Sequence, residues 1–150
     1  LACERRPRRG VTLIELLVVL AAIAVLAAVV GPSLFRNVGD AKASAARSQV
    51  DAYAVALGAY RVDNDGYPTT EQGLDALRTR PADTAAPTLW RGPYVTKVIA
   101  PDPWGRPWRY EAPGRVNPES FDLYSLGRDG VPGGRGEDAD VTSWGGPVPR

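Results

Sequence analysis

Residues 11–30 are apolar at every position except Thr12 and Glu15. A helix of that length reaches about 30 Å, the hydrocarbon thickness of a bilayer, so the pattern predicts a spanning helix. Gly31 and Pro32 then interrupt the run. Proline removes a backbone donor and clashes with the preceding turn, which predicts a kink or local unwinding there. Helical periodicity resumes beyond it. Val50, Tyr53, Leu57 and Tyr60 recur at three- and four-residue steps, while Arg36 with Asp40 and Arg47 with Asp51 set opposite charges four apart on the other side. The amphipathic half is expected to continue to about Val62, giving a stalk roughly 75–80 Å long with one stripe packed on a globular body.

The run DNDGYP, residues 63–68, collects turn formers and a proline and should end the helix. It does not read as a calcium-binding EF-hand, because with Gly66 at loop position six an aspartate would be needed where Arg61 stands. Next, Thr69 and Gln72 form a capping box ahead of a short helix with Leu74 and Leu77 inward and Pro81 as its stop. Residues 82–87 read as a small-residue loop. From residue 90 the period changes: WRGPYV, PWRYEA and SFDLYSL are short alternating or aromatic runs separated by proline and glycine turns, which predicts a small antiparallel sheet. Phe121, Leu123 and Ser125 would share one of its faces, and the sheet's apolar face would lie on the helix. Trp90, Trp104, Trp108 and Trp144 read as core and turn packing rather than a sugar platform.

Charge sharpens the first element. Residues 1–10 carry Arg5, Arg6, Arg8 and Arg9 against Glu4, a local +3 in a chain of formal charge +1, which leaves −2 elsewhere. Arginines beside an apolar span read as a cytoplasm-facing flank, not as a nucleic-acid patch. The chain of 150 residues has no histidine, and Cys3 is its one cysteine. A Ser-His-Asp triad, a histidine base, a disulfide in the globular part and a Cys/His zinc site are therefore excluded. With no methionine, Leu1 is either a non-standard start or not the true start. The leader lacks the order of a cleaved secretory signal, because its small residue, Gly10, precedes the apolar run. Cutting there would leave the helix on the mature chain with a free amine at its tip. Glu15 is the remaining puzzle: a carboxylate in an apolar run costs free energy unless it has a partner. At a helix start it would favour the positive end of the dipole, and in a staggered stack of helices it could face a neighbour's amine.

The stretch RRGVTLIELLVVLAAIAVL resembles the type III leader and helix of type IV pilins and type II secretion pseudopilins. The resemblance implies cleavage between Gly10 and Val11 by a prepilin peptidase, N-methylation of Val11, and Glu15 as a register pin in filament assembly. Val11 stands where the family usually has Phe. The ordered series YPTTEQGLDAL, WRGPYV, DPWGRPWRYEAPG and DLYSLGRDGVPGGRGEDADVTSW narrows the likeness to the major pseudopilin family of type II secretion, general secretion pathway protein G. It covers residues 9–144. The implied fold is α+β, type IV pilin-like: a cleaved leader (1–10), a transmembrane or filament-core helix (11–32), its amphipathic continuation (33–62), a periplasmic globular domain (63–144) and an unmatched tail (145–150).

In the loop LGRDGVPGGRGEDADV, residues 126–141, carboxylates surround a glycine turn, and calcium takes six to eight oxygens from carboxylates and carbonyls. On chemistry alone, a solvated acidic loop is as good a reading. The resemblance implies a structural calcium held by Asp129 and Asp140, with backbone carbonyls from Leu126 and Val131, and with either Asp138 or Glu137 completing the set. Like charges would then loosen the loop if the cation left. GVPGGRG lacks the Gly-Lys-Ser/Thr of a phosphate loop.

The function implied is a non-enzymatic subunit of a periplasmic helical filament that moves folded proteins outward. Its implied partners are further copies of itself, minor pseudopilins, the inner-membrane assembly platform, the prepilin peptidase and the lipid bilayer, and no nucleic acid. The implied localisation is the bacterial inner membrane, single-pass, before assembly. Two alternatives stand beside it. One is a minor pseudopilin or type IV pilin; the other is a membrane-tethered hydrolase that pairs Asp129 with Glu137 or Asp138 on a sugar bond.

Overall fold

The computed structural model describes residues 11–82 and 89–149, with residues 30–37 described by their backbone alone. The leader, including Cys3 and Gly10, and most of the loop at 82–87 lie outside the described residues. The chain divides into two compact units, Leu1–Val38 and Gly39–Arg150, and one helix, α1 (Leu13–Asn64), contributes to both.

In the first unit every described side chain of α1 is exposed, from Leu13 at 78% to Val29 at 72%. The described apolar stretch, residues 13–29, is about 25 Å of helix. Among the described residues no helix is long and apolar enough to cross a membrane. The helix assignment runs unbroken through Gly31 and Pro32, so the expected local unwinding is absent. A proline forfeits one hydrogen bond of the ladder, and the flanking turns keep theirs.

The second unit is built on the other half of α1. Val50, Leu57 and Tyr60, foreseen as the inward stripe, are buried at 2%, 0% and 3%, and Tyr53 packs beside them at the edge. Arg47 and Asp51 do not form the expected ion pair: among the described residues the pairs are Arg115–Glu111, Arg128–Glu137 and Arg128–Asp138. Exposed pairs of this kind contribute little, and ordering two side chains costs more than the contact returns. The helix stops at Asn64, whose side chain donates to the carbonyl of Tyr60 at 2.9 Å, and Asp65 turns into the left-handed region at φ 59°. Tyr94 then fixes this end by donating its hydroxyl to Asp63 at 2.9 Å.

The capping box forms in both directions, Thr69 N–H to Gln72 Oε1 at 3.0 Å and Gln72 N–H to Thr69 Oγ1 at 3.3 Å. The helix behind it is a single 3₁₀ turn, Leu74–Leu77, which buries both leucines as expected. Three strands follow, β1 (Arg109–Glu111), β2 (Asp122–Ser125) and β3 (Val141–Thr142), antiparallel in that spatial order. Tyr110 faces Leu123 across β1 and β2, and Ser125 faces Val141 across β2 and β3. WRGPYV forms no strand. Trp90 and Tyr94 meet edge to face instead, and the N–H groups of Tyr94 and Val95 donate to the Leu77 carbonyl.

Leu57, Leu77 and Leu123, all at 0% exposure, lie in one core with Tyr110, Phe121 and Val141. β2 is buried on both faces, since Asp122 and Tyr124 are covered along with Leu123 and Ser125. Trp144 covers Tyr124 edge-on at 5.7 Å, and Trp90, Trp104 and Trp108 pack against the core, as their sequence setting predicts. Asp122 is the other surprise of β2. Its carboxylate accepts from the N–H of Val116 and Asn117 and from the Asn117 side chain, which closes the connection between β1 and β2.

Candidate functional site

Two places, one in each unit, carry the chemistry singled out in the sequence. At the N-terminus of α1, Thr12 Oγ1 accepts from the N–H of Glu15 at 3.3 Å, and the Thr12 carbonyl takes the N–H of Leu16 at 3.2 Å. Thr12 is therefore the cap of the helix, and Glu15 stands three residues on, within the positive first turn. The Thr-x-x-Glu spacing is a capping-box signature legible in the sequence, though hydrophobic periodicity alone does not disclose it. Val11 precedes the cap and is 72% exposed. Gly10, on the other side of the predicted cleavage, lies outside the described residues.

The second place is the loop between β2 and β3. It leaves the sheet at Ser125, whose hydroxyl donates to Asp102 Oδ2 at 2.5 Å while accepting the N–H of Gly127 at 3.2 Å. Asp102 is only 4% exposed, and its other oxygen takes the N–H groups of Trp104 and Arg106 at 3.0 and 2.8 Å. A buried carboxylate with three donors is satisfied in the way burial requires. From the same turn, Arg106 Nη1 donates to the carbonyls of Gly127 and Arg128, each at 2.5 Å. Asp102, Arg106 and Ser125 thus hold the first residues of the loop. No short-range pattern in the sequence marks these contacts, because Asp102 with Ser125 and Arg106 with Gly127 and Arg128 each join residues more than twenty apart.

Asp129 Oδ1 accepts the N–H of Val131 at 3.0 Å, a local turn that leaves its second oxygen without a hydrogen bond among the described residues. Asp140 Oδ2 accepts from Gly133 at 2.9 Å and from Val148 at 3.0 Å, so residue 148 of the unmatched tail folds onto it. Asp140 Oδ1 is buried and has no hydrogen-bond partner among the described residues. Asp140 lines a cleft of about 570 Å³ between the loop and the side of α1 that carries Arg47 and Asp51. The Leu126 carbonyl takes a long 3.3 Å bond from Gly130, and the Val131 carbonyl accepts no backbone bond within the loop. Asp138 is differently placed: Arg128 grips it as a fork, Nε to Oδ1 at 2.9 Å and Nη2 to Oδ2 at 3.1 Å. Glu137 lies 3.5 Å from the same guanidinium and closes over α1 at Gly39, where an added Cβ would stand 2.1 Å from Glu137 Oε1.

Among the described residues no three metal-ligating side chains are gathered together. A calcium shell completed by carbonyls needs fewer. The unpartnered buried oxygen of Asp140 and the Asp129 oxygen that accepts no hydrogen bond among the described residues are hard oxygen donors of the type calcium takes. The mutual repulsion expected among the loop's four acids is relieved by Arg128, which answers two of them. Of the carboxylates weighed for hydrolysis, Asp129, Glu137 and Asp138, none lines the cleft.

Comparison with known proteins places these features in one family. Residues 33–144 match the family model of type II secretion system protein G, and residues 5–31 match the prokaryotic N-terminal methylation motif. The type II secretion system core protein G of Pseudomonas aeruginosa is 43% identical over 141 residues, which span 94% of this chain and 98% of that protein. The protein of the same name from Aeromonas hydrophila is 38% identical over 94% of this chain and 95% of its own. The crystal structure of the major pseudopilin from the type 2 secretion system of enterohaemorrhagic Escherichia coli superposes with a TM-score of 0.60 at 35% identity, covering 72% of this chain and 87% of that one. A long N-terminal helix on a three-stranded antiparallel sheet, a methylation motif at the start of that helix and relatedness along nearly the whole chain lead to one conclusion: the chain belongs to the protein G family of type II secretion, the major pseudopilins.

Proposed function

We propose that this major pseudopilin is made as a single-pass inner-membrane precursor with its C-terminal domain in the periplasm, is cut between Gly10 and Val11 and N-methylated at Val11, and then stacks into a helical pseudopilus. The observation that carries the reading is the first half of α1. Its apolar side chains, from Leu13 to Val29, are exposed on every side of the helix, with one carboxylate, Glu15, in the first turn. A helix apolar all round must be covered, either by lipid before assembly or by other helices afterwards. With Val11, Thr12 and Val30 included, the run has the length for either.

Glu15 then acts as the register pin. In an axially staggered stack its carboxylate meets the amine of a neighbour's Val11, and the pairing offsets the cost of burying both. Head-to-tail contacts of this kind do not close, so a filament is their natural product. Minor pseudopilins and the inner-membrane assembly platform are the other partners, and the chain is a substrate of prepilin peptidase rather than an enzyme. A calcium ion would sit in the β2–β3 loop on Asp129 and Asp140 with the carbonyls of Leu126 and Val131. There it would supply positive charge that ties the loop together, while Ser125 and Arg106 position the loop's first residues.

The test is co-expression of the full chain with a prepilin peptidase, followed by N-terminal sequencing, intact mass and recovery of sheared filaments. The expected product begins at Val11 and is one methyl group heavier. Glu15→Leu should still be cut but should yield no filaments. Filaments at the wild-type level from Glu15→Leu, or an uncut chain beside active peptidase, would overturn the proposal.

A further inference from the structure

Arg128 divides the acids of the β2–β3 loop into two groups. Its guanidinium uses both oxygens of Asp138 and approaches Glu137, and its own N–H donates to the Glu137 carbonyl at 2.9 Å. Its carbonyl is in turn held by Arg106. The pattern does not extend to Asp129 and Asp140, whose carboxylates accept only backbone N–H groups among the described residues. Backbone packing supports the same division. Gly127 has φ 65°, and a Cβ there would lie 2.8 Å from the carbonyl oxygens of Ala139 and Glu137, so the two limbs of the loop touch main chain to main chain at this point.

A carboxylate forked by guanidinium has both oxygens engaged, and a divalent ion that recruited it would have to break the fork beside a like charge. We infer that Arg128 is the resident cation of the loop's second limb, keeping Asp138 out of the shell of any bound calcium and holding residues 136–138 folded when the ion is absent. The first half of this inference rests on the calcium reading proposed above. The second half stands without metal.

The experiment uses the full chain in detergent micelles. Calcium is titrated calorimetrically into wild type, Asp138→Asn, Asp129→Asn and Asp140→Asn, and melting is followed in chelator for wild type, Arg128→Gln, Asp138→Asn and the double variant. Removing a true ligand should weaken calcium binding by about tenfold or more. Asp129→Asn and Asp140→Asn should show that loss, and Asp138→Asn should not. In chelator, Arg128→Gln and Asp138→Asn should each lower the melting temperature, and the double variant should melt no lower than either alone, since each single change removes the same fork. A tenfold loss of calcium affinity in Asp138→Asn, or additive melting losses in chelator, would overturn the inference. If wild type binds no calcium, the calcium reading fails by itself, and the melts in chelator decide whether Arg128 clamps the limb.

Discussion

The Asp102 carboxylate gives the sharpest test of how this fold carries its loop. Replacing it by alanine removes the acceptor for three groups at once, the N–H of Trp104 at 3.0 Å, the N–H of Arg106 at 2.8 Å and the Ser125 hydroxyl at 2.5 Å. Each unsatisfied buried donor costs about 1–3 kcal/mol, and the exposed edge of the 102–106 turn lets water recover part of that. A net loss of about 3–5 kcal/mol is expected for Asp102→Ala. For a unit the size of residues 39–150 that corresponds to a melting temperature lower by roughly 12–20 °C. Ser125→Ala loses one of the three bonds and strands the Gly127 N–H, so about 1–2 kcal/mol is expected. The double variant should cost less than the two single losses together, because they share the Asp102–Ser125 bond. Urea and thermal unfolding of the full chain in micelles, followed by tryptophan fluorescence, would measure all three. A loss below about 0.5 kcal/mol for Asp102→Ala, in the range of ordinary surface changes, would refute the assignment of Asp102 as the anchor of the loop.

Leu57→Ala, at a side chain with 0% exposure beside Leu77 and Leu123, should destabilise the second unit by about 2–5 kcal/mol in the same assay, whereas Val55→Ala, at 76% exposure on the same helix, should stay within about 0.5 kcal/mol. Burial pushes the Tyr110 phenol well above its ordinary value, with the neighbouring phenols of Tyr60 and Tyr67 adding to the shift. Below about pH 10 both states keep that proton and stability is unaffected. Above it the unfolded state releases the proton first, the folded state holds more protons, and stability falls with rising pH. Tyr110→Phe should lose about 1 kcal/mol at neutral pH, because the Pro68 carbonyl is left without its 2.8 Å donor, yet show a shallower decline in alkaline unfolding curves. An unchanged alkaline slope would contradict the burial argument.

The sequence by itself determined whatever depends on near neighbours along the chain. The apolar run and the stripe of Val50, Leu57 and Tyr60 follow from the 3.6-residue period of one helix, and the capping box at Thr69 and Gln72 closes within a single turn. The family likeness is legible for a related reason: an ordered set of turn and strand motifs survives in linear order. Tertiary structure decided what depends on distant segments meeting. Nothing local says that Asp138 faces Arg128 rather than a cation, that Asp102 reaches Ser125, or that Glu137 closes over Gly39. The same holds for the failures of local rules. Arg47 and Asp51 satisfy the four-residue spacing and do not pair, Pro32 meets the rule for breaking a helix and sits within one, and WRGPYV has strand-like alternation but spends it on Trp90 and Tyr94 packing. For WRGPYV a local preference of about 1 kcal/mol or less is outweighed by contacts fixed elsewhere in the chain, and for Arg47 and Asp51 an exposed pairing contributes little to begin with. Charge pairing in the acidic loop belongs to this second kind, because a carboxylate's partner is set by where the backbone brings it and not by its position in the sequence.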